Sequence, residues 1–230
     1  MEAEKMESYW LWLCSLEDIT AKKKEKLLKL YGTPLEIYQA KREVLEKLHI
    51  LKEWEIEKIL KKQENPYEVY HRQKEKGIKF ISREHETFPK RLLKISDIPF
   101  GLFFKGKLPD EGKKAAAVVG ARACTYAGQA LAAQIGEELA QADVEVISGM
   151  ARGIDGCAQQ AALNAGGVSF GILGSGVDLI YPPEHRNLYE ALSRAGGVIS
   201  EFPPGSPPIG SHFPRRNRLI SGLTDFLIVV

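Results

Sequence analysis

The sequence of 230 residues predicts an α/β protein in which a doubly wound parallel sheet follows a helical N-terminal region. Two observations carry this prediction. From Ala115 onward, short and almost continuously apolar runs alternate with helical segments, as in a parallel sheet covered by helices on both faces. Before that point, residues 8–70 space their apolar side chains by three and four, as amphipathic helices do.

The first predicted domain, residues 1–70, is a small all-α domain interrupted by a turn. Gly32 is suited to end one helix, and Pro34 is suited to begin the next. The Leu30-Tyr31-Gly32 segment weakly resembles a helix-hairpin-helix, in which backbone amides of the turn hold a DNA phosphate. The same segment is also typical of an ordinary helix cap, and the sequence alone leaves both interpretations open.

Residues 71–114 are predicted to be a connector with one or two short strands that leads into the sheet domain. Its apolar pieces are short, and Pro89, Pro99 and Pro109 interrupt them. We expect a domain boundary near residues 110–114, where the composition changes.

Residues 115–230 form the predicted sheet domain. The predicted strands are AAAVVG, VEVISG, VSFGILG, GVISEF and DFLIVV, and the predicted helices are TYAGQALAAQIGEELAQA, IDGCAQQAALNAG, EHRNLYEALSRAG and RRNRLISGL. Parallel strands end at the same edge of a sheet, and ligands of such folds bind beyond that edge.

The charge of the chain is unevenly distributed. The net charge is +2, but residues 1–114 carry 25 Lys and Arg against 20 Asp and Glu, whereas residues 115–230 carry 7 against 10. All seven cations of the sheet domain are arginines. Overall charge therefore does not predict a nucleic-acid-binding protein, and the positions of the arginines become the informative feature.

Composition excludes several other classes of protein. No apolar run reaches the length of a membrane span, and the N-terminus lacks the apolar core of a signal peptide, which favours a cytoplasmic protein without a membrane partner. The three cysteines show no C-x-x-C spacing, and neither they nor His185 and His212 form a recognisable metal motif. We predict no metal and no cofactor.

Arginines and glycines recur where the predicted strands end. The first strand is followed by Arg122, the second by Arg152, and the fourth leads to the segment PRRNR at residues 214–218. Five of the seven arginines therefore map to one edge of the sheet. Helix N-termini, glycine backbone and arginine side chains are all suited to bind anionic oxygens, and several such sites in a row favour a polyanion.

Other ligands of doubly wound sheets fit the sequence less well. A dinucleotide fingerprint would need a glycine where Arg122 stands, and no acid follows the second strand. Asp155 and Asp178 are typical of helix caps or turns, with a pair between Asp155 and Arg152 as an alternative. Glu201 is a candidate catalytic carboxylate, although a structural hydrogen-bonding role is favoured because no second acid has a suitable spacing.

Four stretches together resemble the DprA/Smf DNA-processing family. They are VVGARACTYAG, VISGMARGIDGCAQQAAL, GILGSGVDLIYPPEHRNLYEAL and ISEFPPGSPPIGSHFPRRNRLISGL. The resemblance covers roughly residues 80–230, and the helical N-terminus is similar to the SAM-like or helix-hairpin-helix domain of that family. In place of a histidine that the family often has after its Gly-Ile-Asp motif, this chain has Gln159, to which we assign no role.

The resemblance implies a Rossmann-like domain that binds single-stranded DNA without sequence preference and without catalysis. It also implies a homodimer that protects incoming DNA and loads the recombinase RecA during natural transformation. The family continues beyond the last strand seen here, so the chain is expected to be truncated within the Rossmann-like domain. The candidate nucleic-acid-binding residues are Gly120, Arg122, Ser148, Gly149, Arg152, Gly153, Gly174, Ser175, Arg186, Arg215, Asn217 and Arg218.

Two alternative functions follow from related folds. One is nucleoside-monophosphate phosphoribohydrolase activity, but its P-G-G-x-G-T-x-x-E run is absent from the sequence. The other is a nucleotide-sensing domain with neither hydrolysis nor DNA binding. Within the leading interpretation, Arg215 and Arg218 lie three residues apart and share a helix face, whereas Arg216 points elsewhere and Asn217 fixes the loop through backbone hydrogen bonds.

Overall fold

The structure is a computed structural model that describes residues 2–61 and 64–230. It divides into two compact units, the first ending at Ser82 and the second spanning Arg83–Val230. This division falls inside the segment 71–114, and the domain bounds derived from the sequence stay a prediction.

The first unit consists of short helices followed by one strand. They are α1 (Glu2–Ser15), α2 (Ala21–Tyr31), α3 (Pro34–Gln39), α4 (Arg42–Lys47), α5 (Glu53–Leu60), α6 (Pro66–Glu75) and β1 (Lys79–Ser82). Helix α1 packs against α3 and α6, and its Leu13 is fully buried together with Ile37 of α3. The prediction of an all-α N-terminal region is thus confirmed for the elements that precede β1.

The turn between α2 and α3 is a helix cap. Gly32 ends α2 with a φ of 87°, and its N–H donates to the Leu28 carbonyl at 2.8 Å. The Thr33 N–H donates to the Glu36 carboxylate at 3.0 Å, and Pro34 has no N–H to offer. The Gly32 and Thr33 amides are therefore bonded within the chain, as in a helix cap, and the helix-hairpin-helix interpretation of this segment stays a prediction.

The second unit contains six strands and four α-helices among its described residues. The strands are β2 (Gly101–Gly106), β3 (Ala115–Val119), β4 (Glu145–Ser148), β5 (Ser169–Ile172), β6 (Gly197–Ser200) and β7 (Phe226–Val229). The helices are α7 (Tyr126–Gln141), α8 (Ile154–Asn164), α9 (Arg186–Ala195) and α10 (His212–Gly222), with 3₁₀ turns at Lys90–Lys94 and Pro183–His185.

The six strands follow the order β2-β6-β5-β4-β3-β7. The five strands from β6 to β7 are parallel, and β2 joins them antiparallel beside β6. The chain runs outward from β3 through β4, β5 and β6 and then returns to place β7 on the other side of β3. The strand order therefore reverses between β3 and β7, and the crevice at their carboxyl ends is where such folds bind ligands.

Small side chains let α7 and α8 pack closely over this sheet. The alanines of β3 are fully buried, and a Cβ at Gly136 of α7 would lie 2.2 Å from the Ala158 carbonyl oxygen of α8. Val118, Val146 and Ile154 complete the apolar cluster between the helices and the strands.

The doubly wound α/β fold predicted from the sequence is confirmed, with two local differences. Helix α10 begins at His212 rather than at Arg215, because Pro214 lies in its first turn, where a missing N–H costs nothing. Strand β7 is not buried as predicted, since Leu227 is 52% exposed and Val229 is 72% exposed.

Candidate nucleic-acid interface

Arg122 is an exposed cation at the carboxyl edge of the sheet. It follows β3 directly, and its guanidinium carbon lies 5.2 Å from the centre of the Phe213 ring of α10. In the part of the chain that the structure describes, no carboxylate forms an ion pair with Arg122. Its charge is therefore available to a ligand.

Arg216 lies behind Arg122 and is buried, with 4% of its surface exposed. One guanidinium nitrogen donates to the Ile172 carbonyl at the end of β5, and a Cβ at Gly149 would lie 2.5 Å from both terminal nitrogens. Burial lowers the pKa of the Arg216 guanidinium to about 10, and the charge of Asp155 opposes this effect. The side chain is still protonated at neutral pH and places a buried positive charge beneath the edge.

Asp155 balances this charge and connects the strand ends. Its carboxylate accepts the Gly120 N–H at 3.4 Å and the Gly149 N–H at 3.0 Å. Burial raises the pKa of Asp155, while the Arg216 charge and the hydrogen bonds from the two glycine amides oppose the rise. Asp155 and Arg216 together hold β3, β4 and β5 in register at the carboxyl edge.

Arg215 and Arg218 share a helix face as predicted, but that face meets a carboxylate. Glu201, at the end of β6, accepts two hydrogen bonds from Arg218, at 2.9 and 2.8 Å, and one from Arg215 at 3.0 Å. Arg218 also pairs with Asp97 at 3.0 Å. Arg218 lines the groove described below, but its nitrogens bind protein carboxylates, so its contact with phosphate stays a prediction, and Glu201 has the favoured structural role.

Arg215 is less constrained than Arg218. Half of its side chain is exposed, at 51%, and its guanidinium lies 5.3 Å from the Phe202 ring centre. It can turn from Glu201 toward a ligand while Arg218 keeps the carboxylate neutralised.

Arg152 and Arg186 lie at the periphery of the carboxyl edge. Arg152 pairs with Glu184 rather than with Asp155, so the predicted Arg152–Asp155 pair is wrong. Arg186 is the exposed first residue of α9 and does not line the groove described below. The structure thus does not bring Arg186 together with Arg122.

The predicted serines are internal. Ser148 is fully buried and donates to the Val118 carbonyl at 2.5 Å, and Ser175 is 2% exposed, with a carbonyl that accepts from Ser200. The Ser148 hydroxyl is thus engaged inside the sheet, whereas Ser175 lines the pocket that also includes Arg122, Gly149 and Gly174. Contact of either serine with DNA stays a prediction.

The predicted glycines allow close packing around the edge. A Cβ at Gly120 would lie 2.4 Å from the Val230 carbonyl oxygen, and one at Gly174 would lie 2.8 Å from the Phe213 ring. Gly153 has a φ of 75° and would bring a Cβ within 2.3 Å of the Ala121 carbonyl oxygen. These positions shape the site by bringing backbone and ring together.

Sequence reasoning missed the support beneath the loop after β4. Met150 has a φ of 52°, which is unusual for a residue other than glycine. Its N–H donates to the buried Gln159 side chain at 3.1 Å, and its carbonyl contacts His185 Nδ1 at 3.1 Å. Gln159 also donates to the Phe170 carbonyl at 2.9 Å, so this residue fixes the loop to β5.

A groove of about 790 Å³ runs along the carboxyl edge between β3 and α10. We call it the rim groove. The lining residues used below are Gly120, Arg122, Tyr181, Phe213, Arg216 and Asn217. The centres of the Tyr181 and Phe213 rings lie 5.6 Å apart. The groove thus combines an exposed arginine, a buried arginine and two aromatic rings.

Two general searches of the described residues complete the description. Along residues 2–61 and 64–230, helices long and apolar enough to cross a membrane are absent. Within the same ranges, no three His, Cys, Asp or Glu side chains come together as potential metal ligands.

Comparisons with known proteins identify the relatives of this chain. Residues 79–230 match the family described as DNA recombination-mediator protein A. The chain is 43% identical to protein Smf of Escherichia coli K12 over 151 residues and 38% identical to DNA processing protein DprA of Streptococcus pneumoniae over 144 residues. These alignments cover 65% and 63% of this chain but 40% and 51% of the relatives, so the chain spans about half the length of the proteins it matches.

Two solved structures are similar to this one over much of their length. DNA processing protein A from Streptococcus pneumoniae matches with a TM-score of 0.75 and 27% identity, covering 96% of this chain and 77% of that one. The second is DNA processing protein A from Helicobacter pylori, whose structure describes a single-stranded DNA binding mode. It matches with a TM-score of 0.58 and 27% identity over 65% of this chain and 68% of that one.

Proposed function

Because this chain belongs to the DNA recombination-mediator protein A family, we propose that it binds single-stranded DNA in the rim groove without preference for sequence. The observation that carries the proposal is the exposed Arg122, whose charge is not neutralised by a described carboxylate and which lies against Phe213 at the sheet crevice. A related structure with a described single-stranded DNA binding mode supports the same conclusion.

The phosphate backbone is held from the β3 side of the groove. Arg122 offers a planar set of donors that fits two phosphate oxygens. Arg216 cannot reach solvent freely, but its buried charge lies behind the same pocket and, together with Arg122, draws anions toward it. Arg215 does not line the rim groove, and its exposed side chain is a candidate contact for a strand that extends past α10.

The bases are held from the α10 side. Phe213 and Tyr181 line the groove, and each presents a ring on which a base can stack. Stacking tolerates every base and contributes about 1–3 kcal/mol per base. Phosphate contacts and stacking together therefore give binding with little sequence preference, and homopolymers should differ in affinity by much less than about 100-fold.

The finer parts of the proposal are non-catalytic action in the cytoplasm, assembly as a homodimer and loading of RecA. They are supported by the resemblance to DNA-processing relatives and are tested separately. Sedimentation tests the dimer, and the rate of RecA filament formation on coated single strands tests loading. The alternative phosphoribohydrolase is tested by incubating the protein with AMP, since release of free adenine would contradict a non-catalytic role.

The central experiment compares single-stranded and duplex DNA of equal length over a range of salt concentrations. We expect tighter binding to the single strand, because stacking needs unpaired bases. The logarithm of the binding constant should fall with the logarithm of salt by about 0.7 per phosphate contacted. A slope near zero, or equal affinity for the duplex, would rule out the proposed mode.

A further inference from the structure

A second groove lies beside the rim groove, between α7, α8 and the start of α9. We call it the α7–α8 groove. Its volume is about 630 Å³, and the lining residues used here are Tyr126, Gln129, Gly153, Gln160, Asn164 and Glu184. The site described above does not account for this surface.

Tyr126 is the most conspicuous side chain of this groove. It is the first residue of α7, and 86% of its surface is exposed, more than any other described large apolar residue of the chain. It stands four residues after Arg122 in the same loop-to-helix segment. An aromatic ring so exposed contributes little to the core but offers an open face to a partner.

The two grooves are adjacent. Gly153 lines the α7–α8 groove, and a Cβ added there would lie 2.7 Å from the Arg122 carbonyl oxygen. Glu184 lines the same groove and forms an ion pair with Arg152, which borders the Arg122 pocket. The second groove therefore begins beside the Arg122 backbone and next to the Arg152–Glu184 ion pair.

The lining favours a nucleic acid over other partners. Glu184 is the single carboxylate among the described lining residues, and Arg152 neutralises it, so phosphates are not repelled. Gln129, Gln160 and Asn164 offer amide donors and acceptors to bases and phosphates. Aromatic side chains on which bases stack are typical of single-strand binding surfaces, where they accompany a cationic groove. Here the cation is Arg122 of the adjacent rim groove.

We propose that the α7–α8 groove is a second binding surface for single-stranded DNA, on which Tyr126 stacks against a base of the strand held in the rim groove. This inference rests on the proposed function, because the strand must first be bound at Arg122. The proposal also gives the path of a bound DNA strand: a strand longer than the rim groove continues over the N-termini of α7 and α8.

The test compares oligothymidylates of about six and about twenty nucleotides on the full chain. We expect Tyr126→Ala to weaken binding of the long strand by about 10-fold and to leave the short strand unchanged. Tyr126→Phe should retain long-strand binding, because the ring and not the hydroxyl stacks. Leu131→Ala is the matched control, since Leu131 lies on the same helix, is 49% exposed and does not line the groove.

Photocrosslinking supplies an independent measurement. Long oligonucleotides carrying 5-iodouracil at successive positions should crosslink to the peptide containing Tyr126 from positions near one end, whereas the short strand should not. Crosslinks to Tyr126 from the short strand would place this residue in the rim groove itself and overturn the proposal.

The remaining outcomes separate this inference from the proposed function. If neither strand binds the wild-type protein, the proposed function fails and the extension fails with it. If both strands bind but Tyr126→Ala binds the long strand normally, the rim groove stands and the extension is wrong. If Tyr126→Ala instead changes the sedimentation of the protein and leaves DNA binding intact, the groove is a protein contact and the proposal is overturned.

Discussion

Two arginines of the rim groove differ in what their loss should change. Arg122 is exposed, without a described carboxylate partner, and its guanidinium lies against Phe213. Arg216 is buried between Asp155 and the Ile172 carbonyl. Loss of Arg122 should therefore weaken binding of DNA, whereas loss of Arg216 should mainly lower the stability of the fold.

Arg122→Ala should weaken binding of single-stranded DNA by about 10- to 100-fold, because a charge-assisted and bidentate contact contributes about 1.5–3 kcal/mol. Arg122→Lys should recover only part of the affinity, since a point charge lacks the planar fork. Fluorescence anisotropy measures both. Arg194→Ala, on the exposed face of α9, is the control, and the idea fails if Arg122→Ala binds as well as this control while folding normally.

Arg216→Ala should lower the free energy of unfolding by about 3–5 kcal/mol, because it leaves the buried Asp155 carboxylate without its countercharge. Urea denaturation monitored by circular dichroism measures the loss. The double variant Asp155→Asn/Arg216→Met should be more stable than Arg216→Ala, since it removes both charges. A loss below about 1 kcal/mol would show that the pair does not hold the strand ends.

At the scale of elements, the close contact between α7 and α8 depends on Gly136 having no side chain. Gly136→Ala should destabilise the protein by about 1–3 kcal/mol, because the new Cβ would lie 2.2 Å from the Ala158 carbonyl oxygen. Gly210→Ala is the comparison, since no heavy atom lies within 4 Å of the added Cβ and the φ there is not positive. Equal melting temperatures for the two variants would contradict the close packing.

The opposite end of β4 carries a buried carboxyl whose titration should be visible in stability. Burial raises the pKa of Glu145, which accepts the Asp110 N–H at 3.2 Å. The folded state therefore binds this proton more readily than the unfolded state, and this group makes the free energy of unfolding fall as pH rises from the unfolded-state pKa through the folded-state pKa.

Glu145→Gln should remove this dependence while keeping an oxygen for the Asp110 N–H. We expect the variant to gain stability relative to the wild type as pH rises from about 4 to about 8. Urea unfolding across that range measures the difference. A difference that stays constant with pH, or that shrinks, would contradict the assignment, and DNA binding should be unaffected because β4 begins at the edge opposite the rim groove.

Local sequence patterns predict the helices and strands, but not which helices and strands lie beside one another. The runs AAAVVG and VEVISG predict β3 and β4 because a buried parallel strand must be apolar on both faces. Helical periodicity likewise predicts that Arg215 and Arg218 share a face. That this face meets Glu201 depends on β6 ending beside α10, and the burial of Arg216 depends on β5 lying beside β4, neither of which a local pattern contains.

At the scale of the whole molecule, the function of the carboxyl edge depends on strand order. Gly120, Arg122, Gly149 and Arg216 are separated along the chain and meet only because β3 is flanked by β4 and β7. The motifs predict where strands end, and the fold class predicts that these ends share an edge. How deeply each arginine is buried beneath that edge is set by packing. The sequence therefore predicts which arginines lie at the edge, but not which of them are exposed and which are buried.

The position of β3 in the sheet should also set how slowly its backbone amides exchange. A strand paired on both sides opens only when the sheet opens, so the amides of Ala116–Val118 should exchange with deuterium much more slowly than those of the loop that follows. Arg122 begins where this slow segment ends. The residue proposed to bind DNA therefore follows backbone that is ordered before the ligand arrives, so binding should cost little conformational entropy there.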